Sequence, residues 1–104
     1  MTEDYRKELA QRLTKSLLDI QLLRVLEEKP MWGYKIKKTF EADFEIKLTH
    51  GILYPTLNSL EHQGFLNSKK EQHDGRARKT YTLTPKGRNY LESYYTMLRE
   101  QINK

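Results

Sequence analysis

The 104-residue sequence has no cysteine, three prolines, three histidines and a single tryptophan. Without cysteine there is no disulfide framework, no thiolate nucleophile and no sulfur-ligated metal, which fits a reducing compartment. The histidines do not fill the gap. His50 and His62 fall on one predicted helix about 120° apart around its axis, and His73 lies near a predicted turn, so no ligand pair forms at metal-binding spacing. No Ser/His/Asp arrangement and no phosphate-binding glycine loop is present either. Neither an enzyme nor a metal nor any other cofactor is expected. Long apolar runs are also missing, and the charged segment Met1 to Glu8 has no apolar stretch behind it. The chain is therefore expected to be soluble and cytoplasmic, with no membrane partner.

What is present is charge and a moderate core. The residues are 37% hydrophobic and 32% charged, enough of the former to fold and too many of the latter for a large interior. The length suits a single domain, 1–104. A net charge of +5 suggests a polyanionic partner, since each Lys or Arg placed on a phosphate releases condensed counterions. Charge alone carries little until its location is known.

Periodicity predicts helix, helix, helix, hairpin, helix. The first helix covers 2–28: Leu9, Leu13, Leu17 and Ile20 form one stripe, and Leu18, Leu22, Val25 and Leu26 an adjoining one, before Pro30. Two stripes imply apolar partners on more than one side. A helix-turn-helix follows over 32–64. Its first helix, roughly Trp32 to Phe44, carries Ile36, Phe40 and Phe44 on one face. Ile46 to Leu48 reads as a small strand or extended connector, and Thr49 as the N-cap of a helix ending near Gly64. From 65 to 83 the period becomes two, around the hairpin pair Asp74-Gly75. Thr84 and Pro85 then open the last helix, 84–104. The fold class is mainly α with a small hairpin (α+β), a winged helix-turn-helix flanked by terminal helices.

In such a layout the third helix enters the major groove and the hairpin lies against the flanking backbone. On that helix Leu53, Thr56, Leu57 and Leu60 should pack inward. The opposite stripe is Gly51, Pro55, Asn58 and His62, flanked by Tyr54 and Ser59, with no charge at its centre. Small and polar side chains there let the backbone approach base edges, and Asn can pair with adenine. The same stripe also reads as an ordinary solvated face. Pro55 falls about two turns into the helix, where it should cost on the order of 3 kcal/mol, unless the helix starts near Tyr54. The hairpin gathers Lys69, Lys70, Arg76, Arg78 and Lys79, opposed by Glu71 and Asp74. These cations reach phosphates or a minor groove, or they guard a charged edge strand. Tyr34, Lys35 and Lys38 open the second helix and suit phosphate contact, with core packing as the other reading of Tyr34.

These residues resemble the PadR family of bacterial transcriptional regulators over nearly the whole chain. The resemblance is carried by Leu22 to Leu26 leading to Pro30, Gly33-Tyr34-Lys35-Ile36, Gly51-Ile52-Leu53-Tyr54-Pro55-Thr56-Leu57, and Leu60-Glu61 with Gly64. It continues through Asp74-Gly75-Arg76, Arg78-Lys79 and Tyr81 to Thr84, and reaches Gly87. The short last helix looks like the compact branch of the family. The resemblance implies a homodimer repressing from a palindromic operator of double-stranded DNA, with Tyr34, His50, Tyr54, Pro55 and Arg76 facing it. Thr49, Gly51 and Asn58 join these by position, as do Lys35, Lys38, Arg78 and Lys79. Trp32 stands where the family usually has His, and Asn58 and Ser59 where Arg is frequent.

The resemblance also implies that the last helix packs on the partner's first helix. Leu91, Tyr94, Tyr95, Leu98 and Ile102 form a stripe too apolar for a lone terminal helix, and Leu9, Leu13 and Leu17 are its expected counterpart. Packing of the two terminal helices within one chain is the alternative. A small aromatic effector is a further implication, for which Trp32, Tyr90, Tyr94 and Tyr95 are the aromatic candidates, though such stripes at helical spacing are more often core. The competing function is a winged-helix protein-interaction module whose basic wing engages an acidic protein.

Overall fold

The computed structural model describes residues 3–104, with His73 described by its backbone alone. Among these residues lie five helices and a three-stranded antiparallel sheet. In chain order they are α1 (Arg6–Ser16), α2 (Leu18–Val25), β1 (Met31–Trp32), α3 (Gly33–Phe44), α4 (His50–His62), β2 (Leu66–His73), β3 (Arg76–Leu83) and α5 (Pro85–Ile102).

The helix expected over 2–28 is two helices. Leu17 leaves helical geometry at φ −120° and ψ 46°, although its N–H still bonds Leu13 O and its carbonyl accepts from Gln21 N–H. The bend separates the two apolar stripes. Leu9 and Leu13 stay on α1, which buries only Thr14, whereas α2 buries Ile20, Gln21, Leu22, Leu23 and Val25. Surrounded by α3, α4 and α5, α2 finds its apolar neighbours on several sides within its own chain. The inference that two stripes require a partner subunit therefore fails for α2. The buried Gln21 is paired: its amide donates to Tyr94 Oη at 3.3 Å and its carbonyl accepts from Arg24 at 2.9 Å.

Packed against α2, α3 buries Ile36 and Phe40, and Glu45 in the left-handed region at φ 56° ends it. The connector to α4 is extended but pairs with no strand, and it buries Leu48. Glu41 holds it in place by accepting Leu48 N–H at 2.8 Å while Lys37 lies 3.2 Å away. The Leu48 N–H, aided by the Lys37 charge, holds the Glu41 carboxyl below the usual range against a smaller opposing effect of burial. Thr49 occupies the N-cap position in extended geometry but makes no side-chain cap bond.

The hairpin falls within the span that the two-residue period indicates, 65–83. Asp74 and Gly75, at φ 52° and 76°, form the tight turn, and the ladder runs from His73↔Arg76 to Leu66↔Leu83. The two-residue β1, which the sequence pattern did not reveal, adds to the other edge of β3 through Met31↔Tyr81 and Trp32↔Thr80, giving the order β1-β3-β2. Thr84 caps α5, accepting Gly87 N–H at 3.0 Å and donating to Gly64 O at 2.7 Å. A Cβ on Gly87 would collide with the Phe65 carbonyl, so only glycine lets α5 start against the turn that follows α4.

Along α5, Leu91 (1% exposed) and Tyr94 (5%) lie in the core of their own chain, and Tyr95 and Leu98 pack partly against it. This corrects the expectation of a free apolar stripe. The middle of α5 packs on α2 through Tyr94 and Tyr95, and Ile102, at 80% exposure, stands clear. Leu17 is likewise partly covered by the core, whereas Leu9 and Leu13 are 56% and 42% exposed.

Candidate nucleic-acid interface

Helix α4 presents two opposed faces. Leu53, Leu57 and Leu60 are buried with at most 1% exposure, while Gly51, Pro55, Asn58, Ser59 and His62 are all exposed. Thr56, expected to point inward, is half-buried and returns its hydroxyl to Ile52 O at 2.7 Å. The helix starts at His50, so Pro55 does lie in its second turn, where the missing N–H leaves Gly51 O without its usual partner. An ideal Cβ on Gly51 would meet nothing closer than Thr49 Oγ1 at 3.9 Å, so nothing within the chain demands glycine there. Ile52, which was not among the expected site residues, is 49% exposed in the first turn of the same helix.

Three elements meet beside this face. Tyr54 lays its ring across the first turn of α3, where Gly33 leaves room, and meets the His50 ring edge-on at 5.5 Å. Tyr34 is half-exposed rather than core, Lys35 and Lys38 are exposed, and Lys38 Nζ stands 5.4 Å from the Tyr34 ring centre. Next to Tyr34, at 5.6 Å between ring centres, is Trp32 on β1, and Arg78 of β3 stacks on the indole at 3.4 Å.

The wing cations do not form one cluster. Side chains of a strand alternate between faces, so Arg76 and Arg78 share one face of β3 and Lys79, Tyr81 and Leu83 the other. Lys79 pairs with Glu61 of α4 at 3.4 Å, and Ser68 donates its hydroxyl to the same carboxylate. That hydroxyl first, then the Lys79 charge, hold the Glu61 carboxyl below the usual range in spite of its partial burial. Lys79 remains exposed at the surface, but its charge already has a carboxylate partner within the chain. Lys69 pairs with Glu71 at 3.2 Å, whereas Lys70 and Arg76 are exposed, Arg76 directly after the turn.

The four aromatic residues considered for an effector each serve another contact. Tyr90 stacks on Phe65 at 4.4 Å, Tyr94 is buried on Gln21, Tyr95 donates to Glu27 at 2.7 Å, and Trp32 carries Arg78. Among the described residues no group of three His, Asp or Glu is placed to hold a metal ion, and no helix is long and apolar enough to cross a membrane.

A helix-turn-helix with an exposed second helix and a basic hairpin beside it defines a winged-helix regulator of the DNA-binding class. The model of the PadR-like transcriptional regulator family matches residues 22–93. The chain belongs to the PadR family, whose members are transcriptional regulators and not enzymes. A PadR family transcription regulator of Clostridium difficile is 31% identical, with 83% of this chain and 91% of that one covered at a TM-score of 0.75. A PadR family transcriptional regulator of Eggerthella lenta is 29% identical over 92% of this chain and 87% of that one, with a TM-score of 0.71. A curated transcriptional regulator of Mycobacterium tuberculosis is 44% identical over 54 residues, which are 52% of this chain and 50% of that protein. The match thus spans about half the length of that relative.

Proposed function

We propose that this PadR-family protein is a cytoplasmic, sequence-specific repressor that binds a palindromic operator of double-stranded DNA as a homodimer. The observation that carries this reading is the exposed, uncharged stripe Gly51–Pro55–Asn58–His62 on α4. Lys35 and Lys38 are exposed at the start of α3, which Tyr54 of α4 touches at Gly33, and Arg76 is exposed at the wing tip. Phosphate contacts from such cations position the helix, and its small side chains read base edges. Asn58 is the residue suited to a bidentate adenine contact.

The dimer is supported by what the chain leaves uncovered. Leu9 and Leu13 on α1, and Met97 and Ile102 on α5, are all more than 40% exposed. Burying a leucine or isoleucine contributes about 1.5–3 kcal/mol, so four such side chains favour a second copy. Two-fold symmetry then places two α4 helices about one helical turn of DNA apart. Release by a small aromatic effector, implied by the resemblance, remains part of this reading, although Trp32, Tyr90, Tyr94 and Tyr95 each make a contact within their own chain.

Fluorescence anisotropy with the duplex upstream of the protein's own gene, titrated with salt, tests the reading. Operator binding that falls steeply with salt, and exceeds binding to scrambled duplex by at least about a thousandfold, is the expected result. Equal, weak binding to both duplexes would favour the protein-docking alternative.

A further inference from the structure

The hairpin leaves the body of the protein with little support. β1 pairs with β3 only at Thr80 and Tyr81, so from residue 79 to the turn the wing is a two-stranded ribbon. Ribbons of two strands twist and bend more than wider sheets and are marginal alone. At the last level before the free ribbon, two adjacent side chains grip the body from opposite faces. On the inner face Lys79 reaches Glu61, which also takes the Ser68 hydroxyl. On the outer face Arg78 lies flat on Trp32, its guanidinium carbon 3.4 Å from the ring centre. The stack continues through Tyr34 at 5.6 Å to Lys38, and so ties the wing to the start of α3.

We propose that Trp32 is a positioning residue for DNA recognition: through Arg78 it sets the direction in which the wing leaves the body. It thereby sets where Arg76 falls relative to the exposed stripe of α4. Arg76 is two residues beyond Arg78, about 6.6 Å along the strand, so a small change in direction at the clamp moves the tip cation off its phosphate. Arg78 acts here as a strut and not as a phosphate ligand. Its planar group covers the indole, a role that an ammonium cannot reproduce. The inference rests on the DNA-binding reading of the same surface.

The discriminating variant is Arg78→Lys, which keeps the charge and removes the planar stack. In the free full-length protein the single tryptophan reports directly on the clamp. Both Arg78→Lys and Arg78→Ala should shift Trp32 emission to the red and raise its quenching by acrylamide, with the circular dichroism spectrum unchanged. On a duplex selected from a randomised pool by the wild-type protein, both variants should lose roughly two- to thirtyfold in affinity, the range of one cation–π contact. Trp32→Ala should lose as much, add little to Arg78→Ala in a double-mutant cycle, and be rescued by Trp32→Phe.

Wild-type affinity in Arg78→Lys, or losses that multiply in the cycle, would make Arg78 or Trp32 a direct DNA ligand and overturn the proposal. An unchanged emission spectrum would overturn it without any DNA being present. Failure of the wild-type protein to select any duplex would count against the repressor reading instead, and leave the emission result to decide the clamp.

Discussion

Tyr54 of α4 and Gly33 of α3 are fitted to each other: a Cβ added to Gly33 would lie 2.6 Å from the tyrosine hydroxyl and 2.8 Å from its ring. The two helices of the helix-turn-helix touch here through an aromatic ring on bare backbone. The ring is 36% exposed, so it can swing outward when crowded. Gly33→Ala should therefore leave the unfolding free energy within about 1 kcal/mol of wild type, because the side chain yields and alanine also favours the helix. Duplex affinity should fall by about tenfold, the value of one displaced contact. Urea melts and anisotropy titrations on one sample separate the two. Retained affinity would remove Tyr54 from the interface.

Gly51 makes the opposite case. Its Cβ position is open, with Thr49 Oγ1 at 3.9 Å as the nearest atom. Gly51→Ala should raise the stability of the free protein by about 0.4–1 kcal/mol, since the unfolded chain loses freedom that glycine allows. If α4 presses its backbone toward base edges, the same methyl group should weaken operator binding. A variant that is more stable and binds as well as wild type would show that this part of α4 does not approach the duplex closely.

These contrasts bear on what could be read from the sequence. The order of helices and hairpin was legible because long periodic runs such as Leu53–Leu57–Leu60 and the Asp74-Gly75 turn are strong local signals. The bend at Leu17 was not, because the apolar residues of α1 and α2 run on at helical spacing and no Pro or Gly marks the break. The pairing of Met31 and Trp32 with β3 was hidden because a two-residue strand has no period. At the site, composition showed the wing cations but not their faces. Two-residue alternation was available to separate Arg78 from Lys79; the partners Trp32 and Glu61 are brought in by tertiary packing, which spacing cannot reveal. Leu91 and Tyr94 were assigned to an interface because a stripe on a terminal helix has the same pattern whether its own chain or another covers it.

Two cations of β3 should respond differently to loss of charge. Arg76 is exposed at the turn, whereas Lys79 is held by Glu61 at 3.4 Å. Arg76→Ala should lower operator affinity and reduce the slope of log affinity against log salt by about one. Lys79→Ala should leave that slope unchanged and act instead on stability. Equal slopes for wild type and Arg76→Ala would place the tip away from phosphate.

Glu61 couples the wing to pH. Its carboxyl titrates below the usual glutamate value when folded, chiefly through the Ser68 hydroxyl and then through Lys79. A group whose folded pKa is depressed contributes stability above its unfolded value, roughly 4.3, and loses it as pH falls through the folded value. Wild type should therefore exceed Glu61→Gln in melting temperature at neutral pH, and the gap should close on acidification below about pH 4. A gap that is constant from neutral to strongly acid pH would mean the carboxylate charge is not what matters at this contact.

Assembly is best tested by separating residues the core needs from residues it leaves exposed. Leu91 is 1% exposed and belongs to the chain's own interior, so Leu91→Ala should cost about 2–5 kcal/mol wherever the second copy lies. Leu13 and Ile102 lie at 42% and 80% exposure, so replacing either with Asp costs the isolated chain little and places a charge where a partner is proposed to pack. Light scattering of Leu13→Asp and Ile102→Asp should give half the wild-type mass with near-native circular dichroism. Their operator binding should weaken steeply, because each half-site then binds alone and the linked second contact is lost. If wild type itself scatters as a monomer, or both Asp variants retain its mass, the exposed leucines of α1 and the end of α5 are not the dimer surface.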